Sequence, residues 1–404
     1  MSDRTHHKPR PARAIGEFIV LTAALMAAGA LAIDSMLPAL PAIGATFGIE
    51  DDNSRQLIIT FYLLGFGGGQ MLYGPLSDRF GRKPILVLCL SSYALFSLLT
   101  GLSGSFAVLL GARLLQGIAA AGTRVLVVSM VRDQFDGPTM ARIMSLSFIL
   151  FMVVPVLAPA LGEAVLAAAS WRAIFFLLAL YGLFLVAWLL LRLPETHPPD
   201  RRRALSLAKI REAVATTLHQ RVSIGNTLAL TLVVGALFAF INSIQQIVFD
   251  IFERPDLMAV IFASIAGPMA ITSYLNSRIV ERIGSRRIML AALRAFAALS
   301  LLHLILVLAI GEHLILFIVL QALAMASFGL ASANLNALAM QPLGHIAGTA
   351  SSVQGTITTI GGALIGLAVG QWFDGTTLPL VLAFAVCGVC GLLTAIWANP
   401  PEHR

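Results

Sequence analysis

Gly74-Pro75-Leu76-Ser77-Asp78-Arg79-Phe80-Gly81-Arg82-Lys83-Pro84-Ile85 is a charged, glycine-bounded connection between two long apolar runs. A partial copy, Glu281-Arg282-Ile283-Gly284-Ser285-Arg286-Arg287-Ile288, stands in the corresponding connection much further along the chain. Asp78 to Ile85 aligns with Glu281 to Ile288 at a single offset, with three identities and three conservative pairs. Self-similarity at a fixed offset is the mark of an internal repeat, and both copies follow the second apolar run of their half.

Outward from this loop the chain is almost entirely apolar. Its 404 residues are 58% hydrophobic and 12% charged, with a mean hydropathy of +0.88. That is more apolar surface than a water-soluble core can bury. Twelve stretches, 15–39, 56–74, 84–103, 106–130, 139–164, 171–192, 221–248, 257–278, 288–310, 313–336, 346–371 and 377–397, are each about long enough at ~1.5 Å per residue to cross a ~30 Å hydrocarbon layer. Backbone polar groups in lipid must be satisfied within the segment or in a closed barrel, and no period-2 alternation is present, so the stretches read as helices. The expected fold is an all-α integral membrane protein with twelve transmembrane helices in two six-helix halves related by a pseudo-two-fold repeat. Its parts are a tail over 1–14, a first half over 15–192, a linker over 193–220, a second half over 221–397 and a tail over 398–404.

A net charge of +7 would suggest nucleic acid for a soluble protein, but its placement here argues otherwise. Basic residues recur in every second connection: Arg79, Arg82 and Lys83, then Arg132 and Arg142, then the cluster from Arg192 to Arg221, then Arg278 to Arg287. The intervening connections are neutral or acidic, with Glu50 to Asp52 and Asp250 to Asp256 as examples. This is the positive-inside pattern, with both termini expected in the cytoplasm. The first apolar run is too long for a signal-peptide core. Cys387 and Cys390 form a C-x-x-C spacing inside the last apolar helix and read as packing residues rather than a redox or metal site. The lipid bilayer, a small-molecule substrate and the proton are the expected partners, the protein is read as a monomer, and no nucleic acid, metal or organic cofactor is called for.

Ionisable groups inside an apolar bundle are expensive, so each is a functional candidate. Asp34 stands about seven residues before Pro41, and Arg113 about seven residues after Phe106. In opposite-running helices this sets both ~10 Å below the same boundary. Desolvation favours the neutral form of such a carboxylate and a nearby guanidinium the charged form, so Asp34 can bind and release a proton. Arginine stays charged, which makes Arg113 the modulating residue. Gln116, one turn beyond, bonds either the guanidinium or a neighbouring helix, and it is also counted among the residues of a candidate substrate cavity. Met144, Phe148 and Met152 form an adaptable apolar stripe that suits either a promiscuous pocket or ordinary packing. Asn242, Gln245 and Gln246 share a face by their spacing and lie near the outer end of their helix, where they either line a substrate cavity or meet interfacial water. Gly65 and Gly69, and Gly362, Gly366 and Gly370, allow close helix approach, either as static packing or as a sliding surface.

The loop from Gly74 to Pro84 resembles the signature between the second and third helices of the major facilitator superfamily. Glycines Gly74 and Gly81 permit its turns, while Asp78, Arg79 and Arg82 can form a latch whose breaking biases inward against outward opening. Within that superfamily the chain resembles the bacterial drug/proton antiporters of the bicyclomycin- and chloramphenicol-resistance (Bcr/CflA) type. The matching residues are Asp34, Leu37-Pro38 and Pro41; Gly65 to Gln70; Arg113-Leu114-Leu115-Gln116-Gly117; Pro155, Ala158, Pro159 and Gly162; and Ala347 to Ser351. The resemblance implies that Arg113 belongs to proton coupling and that Pro155, Ala158, Pro159 and Gly162 are the antiporter motif. Glu163, where a small residue is usual, and Ser285, where the first loop has Arg82, depart from the pattern; Glu163 is expected to be solvated or to meet a cationic substrate.

The expected function is proton-coupled efflux of a small drug-like molecule by alternating access. Asp34 loads a proton from the periplasm, substrate leaves outward, and inward release of the proton restores substrate affinity. Transport of a metabolite such as a nucleoside or sugar on the same fold, or a non-transporting membrane sensor, are the alternatives. No nucleophile elbow, phosphate loop or metal-ligand cluster suggests an enzyme.

Overall fold

Two prolines three residues apart shape the first crossing. In the computed structural model, which describes residues 12–135, 137–197, 199, 202 and 207–400, α1 (Ala12–Asp34) stops at Asp34. A 3-10 turn (Leu37–Ala39) and then α2 (Leu40–Phe47) follow at once. Pro38 and Pro41 each fall at the start of a new helical piece, where the missing N–H has no partner to lose and the fixed φ suits a helix. The prolines therefore restart the helix instead of ending it. The expectation that this helix closes near Pro41 with Asp34 in its body is corrected: the crossing runs Ile15–Phe47, and its break falls on Asp34.

The remaining long helices are α3 (Leu57–Phe80), α4 (Arg82–Gly101), α5 (Phe106–Gln134), α6 (Gly137–Ala168) and α7 (Arg172–Arg192). After the shorter α8 (Leu207–His219) come α9 (Arg221–Gln246), α10 (Met258–Ile283), α11 (Ser285–Ile310), α12 (Leu314–Met340), α13 (Ala347–Gln371) and α14 (Leu378–Ala398). Among the described residues eleven helices are long and apolar enough to cross a membrane, and α6 contributes a further apolar run over Val153–Ala168. The helix α8, which lies against α9 and α13, was not expected from the sequence. Helix ends with the clustered arginines form one end of the bundle, called here the basic end; the other is the far end.

The packing repeats with the sequence. In the first half α3 packs on α5, α4 on α5 and α4 on α7; in the second, α10 packs on α12, α11 on α12 and α11 on α14. Small residues make these crossings tight: a β-carbon at Gly65 would overlap the Leu114 carbonyl, and one at Gly117 the Tyr62 carbonyl. Without a hydrophobic drive between helices in lipid, such close backbone approach is what holds α3 against α5.

The halves meet along two seams, α3 against α13 and α6 against α10. At mid-depth Gln70 donates to Thr359 Oγ1 at 2.9 Å and Thr356 donates to the Gly67 carbonyl at 3.0 Å. At the far end Asn53 donates to the carbonyls of Gln371 and Phe373, while Gln371 Nε2 donates to the Asn53 carbonyl at 2.7 Å. Gln246 donates to Asn53 Oδ1 at 2.9 Å, and Gln56 bonds Gln246. On the other seam the Ala259 amide, in the first turn of α10, donates to Glu163 Oε1 at 3.0 Å. Glu163, expected in solvent or against a cationic substrate, is partly buried and caps a helix of the opposite half, where an acceptor suits the unpaired amides. Among the described residues, all hydrogen bonds between the halves lie at the far end or mid-depth, so this state is sealed at the far end.

Candidate functional site

The core of the first half is organised around one guanidinium. Arg113, on α5, is fully buried. Its Nε donates to the Ile58 carbonyl at 3.2 Å, one terminal nitrogen to the Ala32 carbonyl at 3.1 Å and the other to Gln116 Oε1 at 2.7 Å. The group also stacks 4.4 Å over the Tyr62 ring and 5.7 Å from that of Phe175. Arginine suits such a site because its planar fork serves several acceptors at once and is weakly hydrated. Gln116 then donates to Ser97 Oγ at 2.6 Å, and Ser97 to the Tyr93 carbonyl at 2.7 Å. One chain of bonds therefore joins α1, α3, α4 and α5.

Three tyrosine hydroxyls extend this grip along α1. Tyr181 donates to the Ala24 carbonyl at 2.8 Å, Tyr93 to Ala28 at 3.1 Å and Tyr62 to Gly29 at 3.2 Å. Sequence reasoning passed over these tyrosines. Their signal was a hydroxyl-bearing ring inside an apolar helix, which needs a partner once buried.

Asp34 lies at the end of this gripped segment, 4% exposed. The guanidinium reaches the carbonyl of Ala32, two residues before Asp34, yet among the described residues no cation stands within 4.0 Å of the carboxylate. The two predicted coupling residues thus meet the same turn of α1 without forming an ion pair. A carboxylate anion here would be a buried charge with no compensating partner.

The break after Asp34 rests on α6. A β-carbon at Gly162 would overlap the Ser35 carbonyl and come within 3.5 Å of Pro38 Cδ. Ala158 and Pro159 are buried, and Pro155 and Pro159 both lie inside the helix, where each removes an amide from the ladder. These four residues of α6 therefore lie along the helix that packs α1 on one side and α10 of the other half on the other.

The other candidates divide. Gln116 is committed at both ends, to Arg113 and Ser97, and its reading as a substrate contact is corrected to a member of the guanidinium network. Met144 is half-buried against the core. The side chains of Phe148 and Met152 lie outside the described residues. Asn242 and Gln245 are buried and so do not stand at an exposed helix end. The reason is that α9 continues into a π-helical turn (Ile247–Ile251) that carries the chain further.

At the basic end Arg82 is the centre of the latch. It pairs with Asp78 at 2.7 Å and Asp133 at 3.0 Å and bonds Ser77 Oγ. Gly81 takes φ 101°, a conformation glycine adopts without strain, and Gly74 faces Ser352 of α13. Arg79 does not join the cluster; its guanidinium is exposed and lies 5.1 Å from its neighbour's ring, Phe80. Asp133 and Glu195, whose carboxylate accepts from the amides of Arg82 and Lys83, were missed because they lie far away in sequence.

A membrane-crossing bundle of two like halves, with a buried carboxylate in a broken helix and a seam sealed at one end, has the build of a transporter. A model of the Major Facilitator Superfamily matches residues 18–366, and the chain belongs to that family. It is 30% identical to the uncharacterized MFS-type transporter YdgK of Bacillus subtilis, over 90% of this chain and 91% of the relative. It is 28% identical to a bicyclomycin resistance protein homolog of Haemophilus influenzae, over 89% and 90%. It is also 29% identical to the multidrug resistance protein MdtL of Salmonella heidelberg, over 86% of each. Among solved structures, the xylose transporter XylE from E. coli in a partially occluded inward-open conformation superposes with a TM-score of 0.71 at 14% identity, covering 96% of this chain and 98% of that one. The human organic anion transporter MFSD10 gives 0.67 at 19% identity, covering 97% and 100%. These two likenesses concern the fold.

Proposed function

We propose that this protein exports a small drug-like molecule across the bacterial inner membrane in exchange for protons, with both termini in the cytoplasm. Relatives named for bicyclomycin and multidrug resistance support the substrate class, and the alternation of basic and acidic connections supports the orientation. The observation that carries the coupling is Asp34: a buried carboxyl at the break of α1, the helix that packs on α6, with no cation within 4.0 Å of it among the described residues.

In the far-end-sealed state Asp34 carries its proton as a neutral acid. Substrate entering from the cytoplasm binds and the proton leaves inward; the ionised carboxylate then requires water, which the outward-open state supplies. Arg113 holds α1 in register without neutralising Asp34. Coupling needs the proton and the substrate to differ in affinity between the two states. One proton moving down a 100 mV potential supplies ~2.3 kcal/mol per cycle. Adding candidate antibiotics to purified protein in weak buffer is expected to release protons, and Asp34→Asn to abolish the release while substrate still binds. Release of undiminished size from the variant removes Asp34 from the mechanism.

A further inference from the structure

Two arginines of α5 stand on one face of the helix and meet opposite surroundings. Arg113 and Arg124 are eleven residues apart, three turns and about 20°, which sets Arg124 ~16 Å nearer the basic end. At Arg113 this face is closed by α1 and α3, whose Ala32 and Ile58 carbonyls the guanidinium holds. At Arg124 it is open: Arg124 is exposed, and so is Val128 one turn on, while Val127 and Val131 beside them are buried.

The open face is not the one that meets lipid. Leu115 is exposed in the far half of α5, where the bundle is sealed and exposure means its outside. Arg124 follows Leu115 by nine residues, two and a half turns, so it points the opposite way. Arg124, Val128 and Arg132 form a stripe at four-residue spacing. The Arg132 guanidinium nitrogens lie 3.6 and 3.7 Å from where a β-carbon on Gly348 of α13 would stand, so the stripe borders the gap between the halves. That gap is the vestibule by which the basic end reaches the interior.

Arg124 brings a charge into this vestibule without a counter-charge. α5 ends at Gln134, so Arg124 branches from the helix ~15 Å inside that end. Among the described residues no carboxylate stands within 4.0 Å of its guanidinium. The acids at the same end are committed elsewhere, Asp133 to Arg82 and Glu17 to Arg192 and Trp188. A planar, permanently charged fork facing water between apolar walls suits a carboxylate or sulfonate, which can accept two of its N–H groups at once. We infer that Arg124 is a specificity-determining residue that favours drug-sized substrates carrying such an anionic group over their neutral counterparts as they enter from the basic end. The inference rests on the transport reading and narrows its substrate class. Exit of a monoanion and entry of a proton move charge in the same sense, so an inside-negative potential assists the exchange.

Val128→Cys, in a chain whose Cys89, Cys387 and Cys390 are serine, places a thiol one turn from Arg124. In phosphatidylcholine nanodiscs its rates of reaction with sulfonatoethyl methanethiosulfonate, an anion, and trimethylammonioethyl methanethiosulfonate, a cation, report the local charge. The anion-to-cation ratio is expected to fall about tenfold with Arg124→Gln and to recover with Arg124→Lys, as for one charge acting over ~6 Å of aqueous space. A thiol that reacts with neither reagent, or a ratio indifferent to residue 124, overturns the assignment, because the face then meets lipid. Substrate preference is read from protection of the same thiol against N-ethylmaleimide by aromatic carboxylic acids of drug size, nalidixic acid first, each beside its neutral amide. With Arg124 in place the acid is expected to protect at about tenfold lower concentration than the amide, and with Arg124→Gln at the same concentration. Acids that protect no better than their amides overturn the inference. Neither readout involves a proton, so a failure of the coupling reading at Asp34 shows in the release assay and not here.

Discussion

At Arg113 three hydrogen bonds and a stacked ring converge on one side chain, so its geometry matters as much as its charge. Lysine keeps the charge but cannot reach the Ile58 and Ala32 carbonyls and Gln116 from one ammonium in the same arrangement. Bonds to charged groups contribute ~1.5–3 kcal/mol each, so Arg113→Lys is expected to lower stability by about 2–3 kcal/mol. Thermal unfolding in detergent measures this, and a midpoint within a degree of the parent contradicts the network reading. Asp34 is a different case. Asp34→Asn leaves its neighbours' bonds intact, so the expected outcome is a chain of normal thermal stability whose export no longer responds to an imposed pH gradient. A loss of folding would instead make Asp34 a structural residue.

Two elements, α1 and α6, meet where the first crossing breaks. The close approach of α6 to the Ser35 carbonyl depends on the absence of a side chain at Gly162. Gly162→Ala is therefore expected to push α6 off the break, with an overpacking loss of about 1–3 kcal/mol. Gly111→Ala on α5, where a β-carbon meets nothing within 4 Å, is expected to be neutral or slightly stabilising, by up to ~1 kcal/mol from helix propensity. The pair separates a local clash from a general intolerance of helix substitution. If both variants export and unfold alike, Gly162 is not a contact of consequence.

Across the whole molecule the seams matter, because alternating access requires them to open in turn. The far end is joined by Asn53 and Gln56 with Gln246 and Gln371 on one seam, and by Glu163 with the start of α10 on the other. A short bifunctional maleimide joining Asn53→Cys to Gln371→Cys is expected to stop export and leave substrate access from the basic end intact. Export that continues after complete cross-linking rules out opening at that seam. These bonds are between neutral amides, apart from the one carboxylate, so each is weak enough, at ~0.5–1.5 kcal/mol, to be broken and remade in every cycle.

The apolar runs and their charged connections determined the crossings, their approximate bounds and the repeat, because lipid forces each segment to satisfy its own backbone and leaves length and hydropathy as sufficient signals. Asp34, Arg113 and the Asp78–Arg82 loop were legible for the same reason: a polar group in such a background stands out. Partnership was not legible. That Arg113 holds carbonyls instead of Asp34, that Arg79 stays out of the latch while Asp133 and Glu195 enter it, and that Glu163 caps α10 all depend on which helix faces meet. That the prolines restart the first helix at Asp34 rather than ending it past that residue depends on packing against α6, since proline fits the first turn of a helix as well as it ends one. Only the tertiary structure decides among these, because helix-to-helix register is set by small residues and single hydrogen bonds, whose energies pattern along one chain does not carry.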